Sequence, residues 1–283
     1  MNIIVTGSAG FIGKHLMEAL ASEHRVLGVD IKTGTDLTKP GDMDWILEKM
    51  PSADFIFNLA GTCSTARGFT HPEEAMQSNV RAVFNVMQLA RKNGAKVIHT
   101  SSIKAQVGDD GMYTPYGLSK LMGEMIVKEW EKCYGVPAVV NRPGTIYGPG
   151  QHGSEESGWL AWFIKCAILG KEVTINGLGD QVRDPLYVTD YVKVLIHQMR
   201  YFNDRLAPDK DYYSVGGGVD NEVTVIQAVH YINTIVPLKC AFGPVRKGDN
   251  KILVSKTIEP QATSWQEGIK KTIEFYQQHK ELL

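Results

Sequence analysis

The chain has 283 residues, with 30 Lys and Arg against 31 Asp and Glu, so its formal net charge is −1. This balance gives no electrostatic basis for binding nucleic acid or an anionic membrane surface. Hydrophobic residues make up 43% of the chain and charged residues 22%, as in globular proteins and unlike disordered ones. The length suits one large domain, or a major and a minor domain.

Two further patterns argue against a membrane-spanning or secreted protein. No run of about 18 apolar residues is present, and the most apolar stretch, from Trp159 to Leu169, is interrupted by Lys165. The first residues lack the basic and long apolar regions of a signal peptide. We therefore expect a cytoplasmic protein with no membrane partner and no nucleic-acid partner.

The cysteines and histidines form no recognisable pattern of metal ligands. The four cysteines contain no CxxC pair, and the eight histidines contain no HExxH motif. We therefore predict no metal site, and we interpret the cysteines as reduced, mostly buried thiols. They are Cys63, Cys133, Cys166 and Cys240.

Short apolar runs alternate with helical patterns through the first half of the chain. Strands are predicted at residues 2–6, 25–29, 55–59, 96–99 and 136–140. Between them, apolar residues recur at helical spacing, as Ile12, Leu16 and Leu20 do after the first strand. This alternation predicts an α/β fold with a doubly wound parallel sheet. After about residue 148 it gives way to Gly- and Pro-rich turns and shorter strands.

Three glycines stand between the first strand and the first helix. Gly7, Gly10 and Gly13 form a G-x-x-G-x-x-G pattern, related to the fingerprint of dinucleotide-binding Rossmann folds. Glycine permits a tight turn and close approach of a pyrophosphate, and the helix N-terminus offers unpaired N–H groups. The alternative is a strand–helix turn without a ligand. The strand before and the helix after favour dinucleotide binding.

An acidic residue follows the second strand, where a dinucleotide ribose would lie. Asp30 lies 17 residues after Gly13, near the offset of about 20 residues expected for a carboxylate that holds ribose hydroxyls. A carboxylate there repels a 2′-phosphate, which favours NAD over NADP. The alternative is a surface aspartate in a loop. Asp36 and Leu37 come soon after and could reach the adenine.

A tyrosine and a lysine are spaced to share one face of a helix. Tyr116 and Lys120 form a Y-x-x-x-K pattern, so their side chains project from adjacent turns. Tyrosine has an ordinary pKa of about 10, and a neighbouring ammonium favours the phenolate. Tyr116 is therefore a candidate general base. The pair follows the strand that ends at Thr100, Ser101 and Ser102.

These features occur in the order found in one enzyme family. The glycine loop, the Ser101-Ser102 pair and the Tyr116–Lys120 pair are three of these features. The others are Asn79, residues 142–149, an R-D-x-x-x-V-x-D-like segment at 183–190, and R-x-G-D at 246–249. Over essentially its whole length the chain resembles the extended short-chain dehydrogenase/reductases, whose members act on nucleotide sugars. Residues 158–163, 174–175 and 179–184 are most similar to the branch that contains CDP-paratose (tyvelose) 2-epimerase.

The resemblance implies roles for individual residues. The catalytic residues would be Ser102, Tyr116 and Lys120. The residues expected to hold NAD are Gly7, Gly10, Phe11, Ile12, Gly13, Asp30, Asp36, Leu37, Leu59, Ala60, Gly61, Asn79, Ser101, Tyr116, Lys120 and Pro143. The residues expected to hold a nucleoside-diphosphate sugar are Thr145, Arg183, Arg246 and Asp249. The donor fork of arginine suits a diphosphate.

The same resemblance implies a division into two domains and a dimer. Residues 1–148 would form the Rossmann-type NAD-binding domain, with a segment at about 187–215 returning to it. Residues 149–283 would form a smaller α/β substrate-binding domain. Helices at about 76–87 and 118–130 would pair with those of a second copy in a homodimer, or simply pack on the sheet.

The residues after Ser102 narrow the reaction. The family's dehydratases carry Asp-Glu after the catalytic residue, whereas Ile103 and Lys104 stand here, and the Glu of decarboxylating members is also absent. Epimerisation and simple reduction remain. We favour an NAD-dependent epimerase that oxidises a nucleoside-diphosphate sugar transiently and returns hydride to the opposite face.

Two alternatives are kept. One is a nucleotide-sugar 4-keto reductase using NAD(P)H, because the short link from Asp30 to Asp36 is similar to the dTDP-4-keto-rhamnose reductase branch. The other is a non-catalytic NAD-binding regulator, which would not need a phenol base. The sequence also departs from the family, with residues 105–108 where V-Y-G is usual and Thr145 where many members have Asn. The base and the sugar therefore stay open.

Overall fold

The computed structural model describes residues 1–204, 211–255 and 262–283. The chain divides into two compact units. The first comprises Met1–Gln106, Thr114–Arg142 and Val192–Tyr213. The second comprises Val107–Tyr113, Pro143–Tyr191 and Ser214–Leu283. A late segment thus returns to the first unit, and a short segment before Tyr116 groups with the second.

The strands are short, as expected for buried elements. In chain order they are β1 (Asn2–Thr6), β2 (Arg25–Val29), β3 (Phe55–Asn58), β4 (Lys96–Thr100), β5 (Ala138–Pro143), β6 (Ile146–Tyr147), β7 (Glu172–Asn176), β8 (Val182–Arg183), β9 (Leu186–Tyr187), β10 (Tyr213–Val215), β11 (Val223–Thr224), β12 (Lys239–Gly243) and β13 (Ile252–Leu253).

The α-helices flank these strands in sequence. They are α1 (Phe11–Leu20), α2 (Pro40–Lys49), α3 (Thr65–Thr70), α4 (Pro72–Met76), α5 (Ala82–Asn93), α6 (Pro115–Tyr134), α7 (Trp159–Leu169), α8 (Val188–Arg200), α9 (Val225–Ile235) and α10 (Trp265–Gln278). A π-helical turn, Gln77–Arg81, joins α4 to α5.

A six-stranded sheet in the order β10-β5-β4-β3-β1-β2 confirms the predicted α/β fold. The pairs among β1 to β5 are parallel, and Ile3 of β1 is in register with Val26 of β2 and Phe55 of β3. The strand order reverses beside β1, because β2 lies on one side of it and β3 on the other. Ligands of such sheets bind at the carboxyl ends of the strands near that reversal.

Several details differ from the sequence predictions. The third strand ends at Asn58, the fourth at Thr100 and the fifth at Pro143. The fifth strand begins at Ala138 rather than at Val136, because Gly135 caps α6 in a left-handed conformation (φ 67°) and Pro137 has no N–H to donate. The expectation of mostly buried cysteines is wrong. All four are free thiols, but only Cys166 is buried, because the other three lie in a loop, near the end of α6 and on a small two-stranded sheet.

The second unit has its own core, formed by α7, α9 and α10 with β7. The Tyr147 hydroxyl is buried there and donates to the Trp265 carbonyl at 3.1 Å, while Tyr276 donates to the Gln151 carbonyl at 2.7 Å. Across the described ranges, no helix is long and apolar enough to cross a membrane. Within those same ranges, no group of three or more His, Cys, Asp or Glu side chains could hold a metal ion.

Candidate active site

The glycine loop is packed backbone against backbone. Gly7 has a φ of 70°, and a Cβ there would lie 2.9 Å from the Ala60 nitrogen. A Cβ on Gly13 would lie 2.1 Å from the Gly7 carbonyl oxygen, so no larger residue fits without a backbone shift. Helix α1 begins at Phe11, and its N-cap Gly10 makes no side-chain hydrogen bond. The first N–H groups of α1, including those of Phe11 and Ile12, are therefore not capped by that residue.

A chain of hydrogen bonds joins the carboxyl ends of β1, β3 and β4. The Ala60 N–H donates to the Thr6 hydroxyl at 3.2 Å, and that hydroxyl donates to Asn58 Oδ1 at 2.7 Å. Asn58 Nδ2 lies 3.0 Å from His99 Nδ1, and because Oδ1 already accepts, this nitrogen is the donor. These hydrogen bonds hold the backbone of Leu59 and Ala60 beside the glycine loop.

Burial lowers the pKa of His99 to about 3, with Lys120 adding to the effect, so the ring is neutral. His99 Nδ1 accepts from Asn58, which leaves the proton on Nε2. The sequence analysis did not single out this histidine. It places an uncharged ring, rather than a second cation, near the buried lysine.

Asp30 is buried at the end of β2 and is held by two backbone groups. Its carboxylate accepts from the Ala9 N–H at 3.0 Å and from the Lys32 N–H at 2.8 Å. Asp36 accepts from the Thr38 N–H and hydroxyl, and the hydrogen bond from the Thr38 backbone is the main cause that lowers the pKa of Asp36. The Leu37 carbonyl accepts from Asn85 at 2.7 Å. Asp30 is thus fixed to the glycine loop through Ala9, while Asp36 and Leu37 are held by Thr38 and Asn85.

The side chains of Asn79 and Lys120 converge on Gly61. A Cβ on Gly61 would lie 2.3 Å from Asn79 Oδ1 and 3.2 Å from Lys120 Nζ. Asn79 Nδ2 donates to the Ser119 hydroxyl at 3.0 Å, whereas its Oδ1 is buried and has no partner within the described residues. Asn79 lies in the π-helical turn, a distortion that is frequent at functional sites. An unpaired acceptor beside an ammonium is suited to a ligand with hydroxyl donors.

Ser102, Tyr116 and Lys120 are brought together by α6 and the end of β4. The Thr114 hydroxyl caps α6 by accepting from the Gly117 N–H at 3.0 Å, which starts the helix just before Tyr116. The Ser102 hydroxyl interacts with Tyr116 and accepts from the Lys104 N–H at 3.1 Å. Lys120 Nζ donates to the Thr100 carbonyl at 3.3 Å. Each predicted catalytic side chain is buried.

Burial is the main cause of the shifted pKa values of Tyr116 and Lys120. It raises the pKa of Tyr116 well above its usual range, with Cys63 adding to the rise, while the hydrogen bond with Ser102 opposes it. Burial also lowers the pKa of Lys120 to about 8, against the opposing effects of Cys63 and Glu124. The structure therefore holds a neutral phenol beside an ammonium that a modest rise in pH would deprotonate.

Ser101 is held by a residue that the sequence analysis missed. Its hydroxyl donates to the carboxylate of Glu124, and its N–H donates to the Asn141 carbonyl at 2.7 Å. Glu124 is fully buried and forms a two-pronged ion pair with Arg142, at 2.8 and 2.7 Å. The available signal was the spacing, because Tyr116, Lys120 and Glu124 are each four residues apart and share one helix face.

The residues predicted to hold substrate lie in the second unit. Arg183 Nη2 pairs with Asp249 at 2.6 Å, and burial lowers the pKa of this guanidinium. Arg246 opens the turn that carries Asp249, whose N–H donates to the Arg246 carbonyl at 3.2 Å. Thr145 lies two residues after Pro143, the last residue of β5. The Thr145 carbonyl accepts from the Leu186 N–H at 2.9 Å. Arg183 and Asp249 are thus in direct contact.

The loop at 107–113 is fixed to the same region. The Asp109 carboxylate accepts from the Asn250 side chain at 3.2 Å and from the Lys251 N–H at 2.7 Å. Arg183 also donates to the Val182 carbonyl at 2.7 Å. In the second unit, the buried Arg183 is therefore paired with Asp249, and the loop at 107–113 is bound to the two residues that follow Asp249.

Comparisons with known proteins identify the family of the chain. Residues 3–216 match the NAD dependent epimerase/dehydratase family. The chain belongs to this family. It is 26% identical to the UDP-glucose 4-epimerase of Mycolicibacterium smegmatis, with 98% of each chain covered, and 23% identical to the CDP-paratose 2-epimerase of Salmonella typhi, with 90% and 91% covered. Among solved structures, the UDP-glucose 4-epimerase of Thermotoga maritima with UDP-glucose has a TM-score of 0.85 at 26% identity, covering 99% and 100%.

The cofactor of this epimerase/dehydratase family is NAD, and the residues present fit it. Glycines stand where a Cβ would fill the space beside Ala60, Asn79 and Lys120. The unpaired Asn79 Oδ1 and the Lys120 ammonium supply an acceptor and a donor at one place. The match also confirms the Rossmann-type, extended short-chain dehydrogenase/reductase assignment.

We expect Asp30→Asn to weaken NADH binding and to reduce the discrimination against NADPH. Loss of a hydrogen bond to a charged group costs about 1.5–3 kcal/mol, or roughly 10- to 150-fold in Kd. Removal of the negative charge should offset this loss for a 2′-phosphate. The measurement is the Kd of each reduced cofactor by fluorescence titration.

Asp36→Asn is the matched control. Its Oδ1 keeps both bonds from Thr38, and it should change the two Kd values by the same factor. An unchanged ratio of NADPH to NADH affinity in Asp30→Asn would contradict the role given to Asp30.

Proposed function

We propose that the protein is an NAD-dependent epimerase of a nucleoside-diphosphate sugar, acting by transient oxidation to a keto-sugar. The observation that carries this proposal is the buried set of Ser102, Tyr116 and Lys120, combined with the residues that follow Ser102. The set supports proton removal from a sugar hydroxyl. The following residues supply no acid–base pair for elimination.

Each side chain has a separate task. Ser102 orients the hydroxyl that is oxidised, and its hydrogen bond with Tyr116 sets the phenol oxygen against that hydroxyl. Tyr116 takes the proton and later gives it back. Lys120 holds a positive charge that favours the phenolate. Burial raises the pKa of the phenol, so the positive charge of Lys120, one helical turn away, would favour the ionised form that acts as the base.

NAD supplies the hydride acceptor and donor when it is bound. Gly7 to Gly13 would hold its pyrophosphate, Asp30 its adenosine ribose, and Asn79 with Lys120 its second ribose. Since an epimerisation has no net redox change, the protein has no need to release the cofactor between turnovers. The residues that hold it can therefore bind tightly.

The segment after Ser102 argues against dehydration. Ile103 is buried, and the Lys104 carbonyl lies where a Cβ on Gly117 would come within 2.2 Å of it. This backbone is therefore packed against the start of α6. Neither residue is a carboxylate, so the acid and base needed to remove water are absent at these positions.

Arg183 and Arg246 would bind the diphosphate of the substrate, Asp249 would belong to the same substrate site, and Thr145 would contact the nucleotide. A guanidinium fork matches phosphate oxygens. The second unit would thus be the substrate-binding domain and the first unit the NAD-binding domain. A uridine nucleotide is the first candidate, because two of the relatives named above are UDP-glucose 4-epimerases.

The test is an assay without added cofactor. We expect the purified protein to convert at least one of UDP-glucose, UDP-glucuronic acid, UDP-N-acetylglucosamine and a CDP-sugar into its epimer, followed by NMR of the anomeric protons. Tyr116→Phe should lose about 10²- to 10⁴-fold in kcat, the range for general acid–base catalysis, and keep NAD binding.

A Tyr113→Phe variant is the control, because this tyrosine is exposed and lies three residues before Tyr116. Full turnover by Tyr116→Phe would remove the catalytic assignment. Stoichiometric consumption of added NADPH with a 4-keto-sugar would instead identify the reductase.

We also propose that the protein acts in the cytoplasm as a homodimer through α5 and α6. The exposed side chains of Leu118, Met122 and Met125 on α6 support the dimer, and Met122 lines an open groove of about 720 Å³. The groove is lined by Thr38, Met76, Gln77, Val80, Arg81, Phe84, Met122 and Ile126.

We expect light scattering to give twice the 31.3 kDa chain mass. Met122→Glu should give a folded monomer, because a carboxylate would be buried without a partner in the interface. Leu178→Glu, at a large apolar residue of the second unit that is 78% exposed, should leave the dimer intact. A monomeric wild-type protein would reject the dimer.

A further inference from the structure

Glu124 is a buried carboxylate that the proposed chemistry does not use. Only 1% of its surface is exposed, and each oxygen is engaged. Oε1 accepts from the Ser101 hydroxyl and from Arg142 Nε at 2.8 Å, and Oε2 accepts from Arg142 Nη2 at 2.7 Å. A buried ion pair is weak evidence for stability, because its desolvation cost can exceed its attraction. A role in positioning is a better reason for it.

The position of Glu124 links it to the whole catalytic group. Three successive turns of α6 carry Tyr116, Lys120 and Glu124. These side chains face Thr100, the last residue of β4, and the two residues that follow it. Tyr116 meets Ser102, Lys120 meets the Thr100 carbonyl, and Glu124 meets Ser101. Three consecutive residues of the strand end are therefore each held by one turn of the helix.

Arg142 anchors Glu124 from the neighbouring strand. It is the penultimate residue of β5, and its guanidinium lies 3.7 Å from the centre of the Tyr212 ring. Stacking on one side and a two-pronged bond to the carboxylate fix the fork in place. The carboxylate cannot move toward solvent without breaking these contacts.

We propose that Glu124 is a positioning residue for the reaction, which holds the Ser101–Ser102 backbone through Ser101 and keeps Lys120 charged through its own negative charge. This proposal rests on the proposed function, in which Ser102, Tyr116 and Lys120 carry out the reaction. It concerns a residue outside the sets proposed to hold the substrate and the cofactor.

The charges around Lys120 define what the proposal must explain. On α6 the titratable neighbours are Tyr116, a neutral phenol, and Glu124, whose carboxylate is paired with Arg142 of β5. His99 faces the lysine from β4, and Cys63 from the segment after β3. Burial lowers the pKa of Lys120, and Cys63 and Glu124 oppose the change. His99 is neutral, and Glu124, which is paired with Arg142, is the carboxylate in this set.

The direct test is the titration of Lys120 by NMR with [13Cε]lysine, assigned with Lys120→Arg. In the wild-type protein we expect a midpoint near pH 8. Glu124→Gln keeps the shape but removes the charge, and it should lower that midpoint by about one pH unit, as expected for a unit charge one helical turn away. Glu129→Gln, the same change at an exposed site of α6, should leave the midpoint unchanged.

A second readout is the pH profile of kcat on the active sugar nucleotide. With Lys120 less basic, the alkaline limb should move down by the same amount. At pH 8 turnover should fall about fivefold beyond any general loss, and at pH 6 this extra loss should vanish because both proteins are then fully protonated. A merely structural defect lowers kcat equally at every pH.

Glu124→Gln leaves a buried arginine without its partner and could unfold the protein, so a double variant is included. Glu124→Gln with Arg142→Gln removes both charges and should restore stability, while the Lys120 midpoint stays below that of the wild type. A wild-type midpoint in both variants would overturn the proposal. Because the NMR titration needs no substrate, this result is distinct from an inactive wild-type protein, which would overturn the proposed function instead.

Discussion

The ammonium of Lys120 is buried at the carboxyl end of the central sheet, and the rest of the site depends on how that charge is kept there. Burial works against it and lowers the pKa of Lys120 to about 8. The Thr100 carbonyl accepts a hydrogen bond from the ammonium, and Glu124, paired with Arg142, lies one helical turn away. The neutral His99 avoids a second cation. A phenol as buried as Tyr116 is useful as a base only beside such a charge.

Close backbone approach is the second constraint, and it explains why glycine recurs around the site. Gly7, Gly13, Gly61 and Gly117 each stand where a Cβ would meet backbone or a functional side chain within 3 Å. At Gly13 and Gly117 the close approach packs α1 and α6 against the segments that carry the loop and Ser102. At Gly61 it leaves room beside Asn79 and Lys120. The same residue type thus serves packing at some positions and access at others.

Local patterns in the sequence were sufficient to locate the first five strands of the sheet, the glycine loop, the position of Asp30 after β2 and the helical spacing of Tyr116 and Lys120, because each depends on a short segment. Glu124 could not be recognised this way, since an acidic residue in the middle of a helix is most often exposed. Its burial depends on Arg142, which comes from another strand. The grouping of residues 107–113 with the second unit depends on Asp109 contacts to residues more than 140 positions away.

An epimerase of the proposed kind retains NAD and cycles it within each turnover. This property can be measured by mass spectrometry of the small molecules released when freshly purified protein is denatured. We expect near-stoichiometric NAD(H) without NADP(H), together with any nucleotide that co-purifies. A protein that releases no cofactor and binds NADPH more tightly than NADH would contradict this expectation and would point to a dissociable reductase.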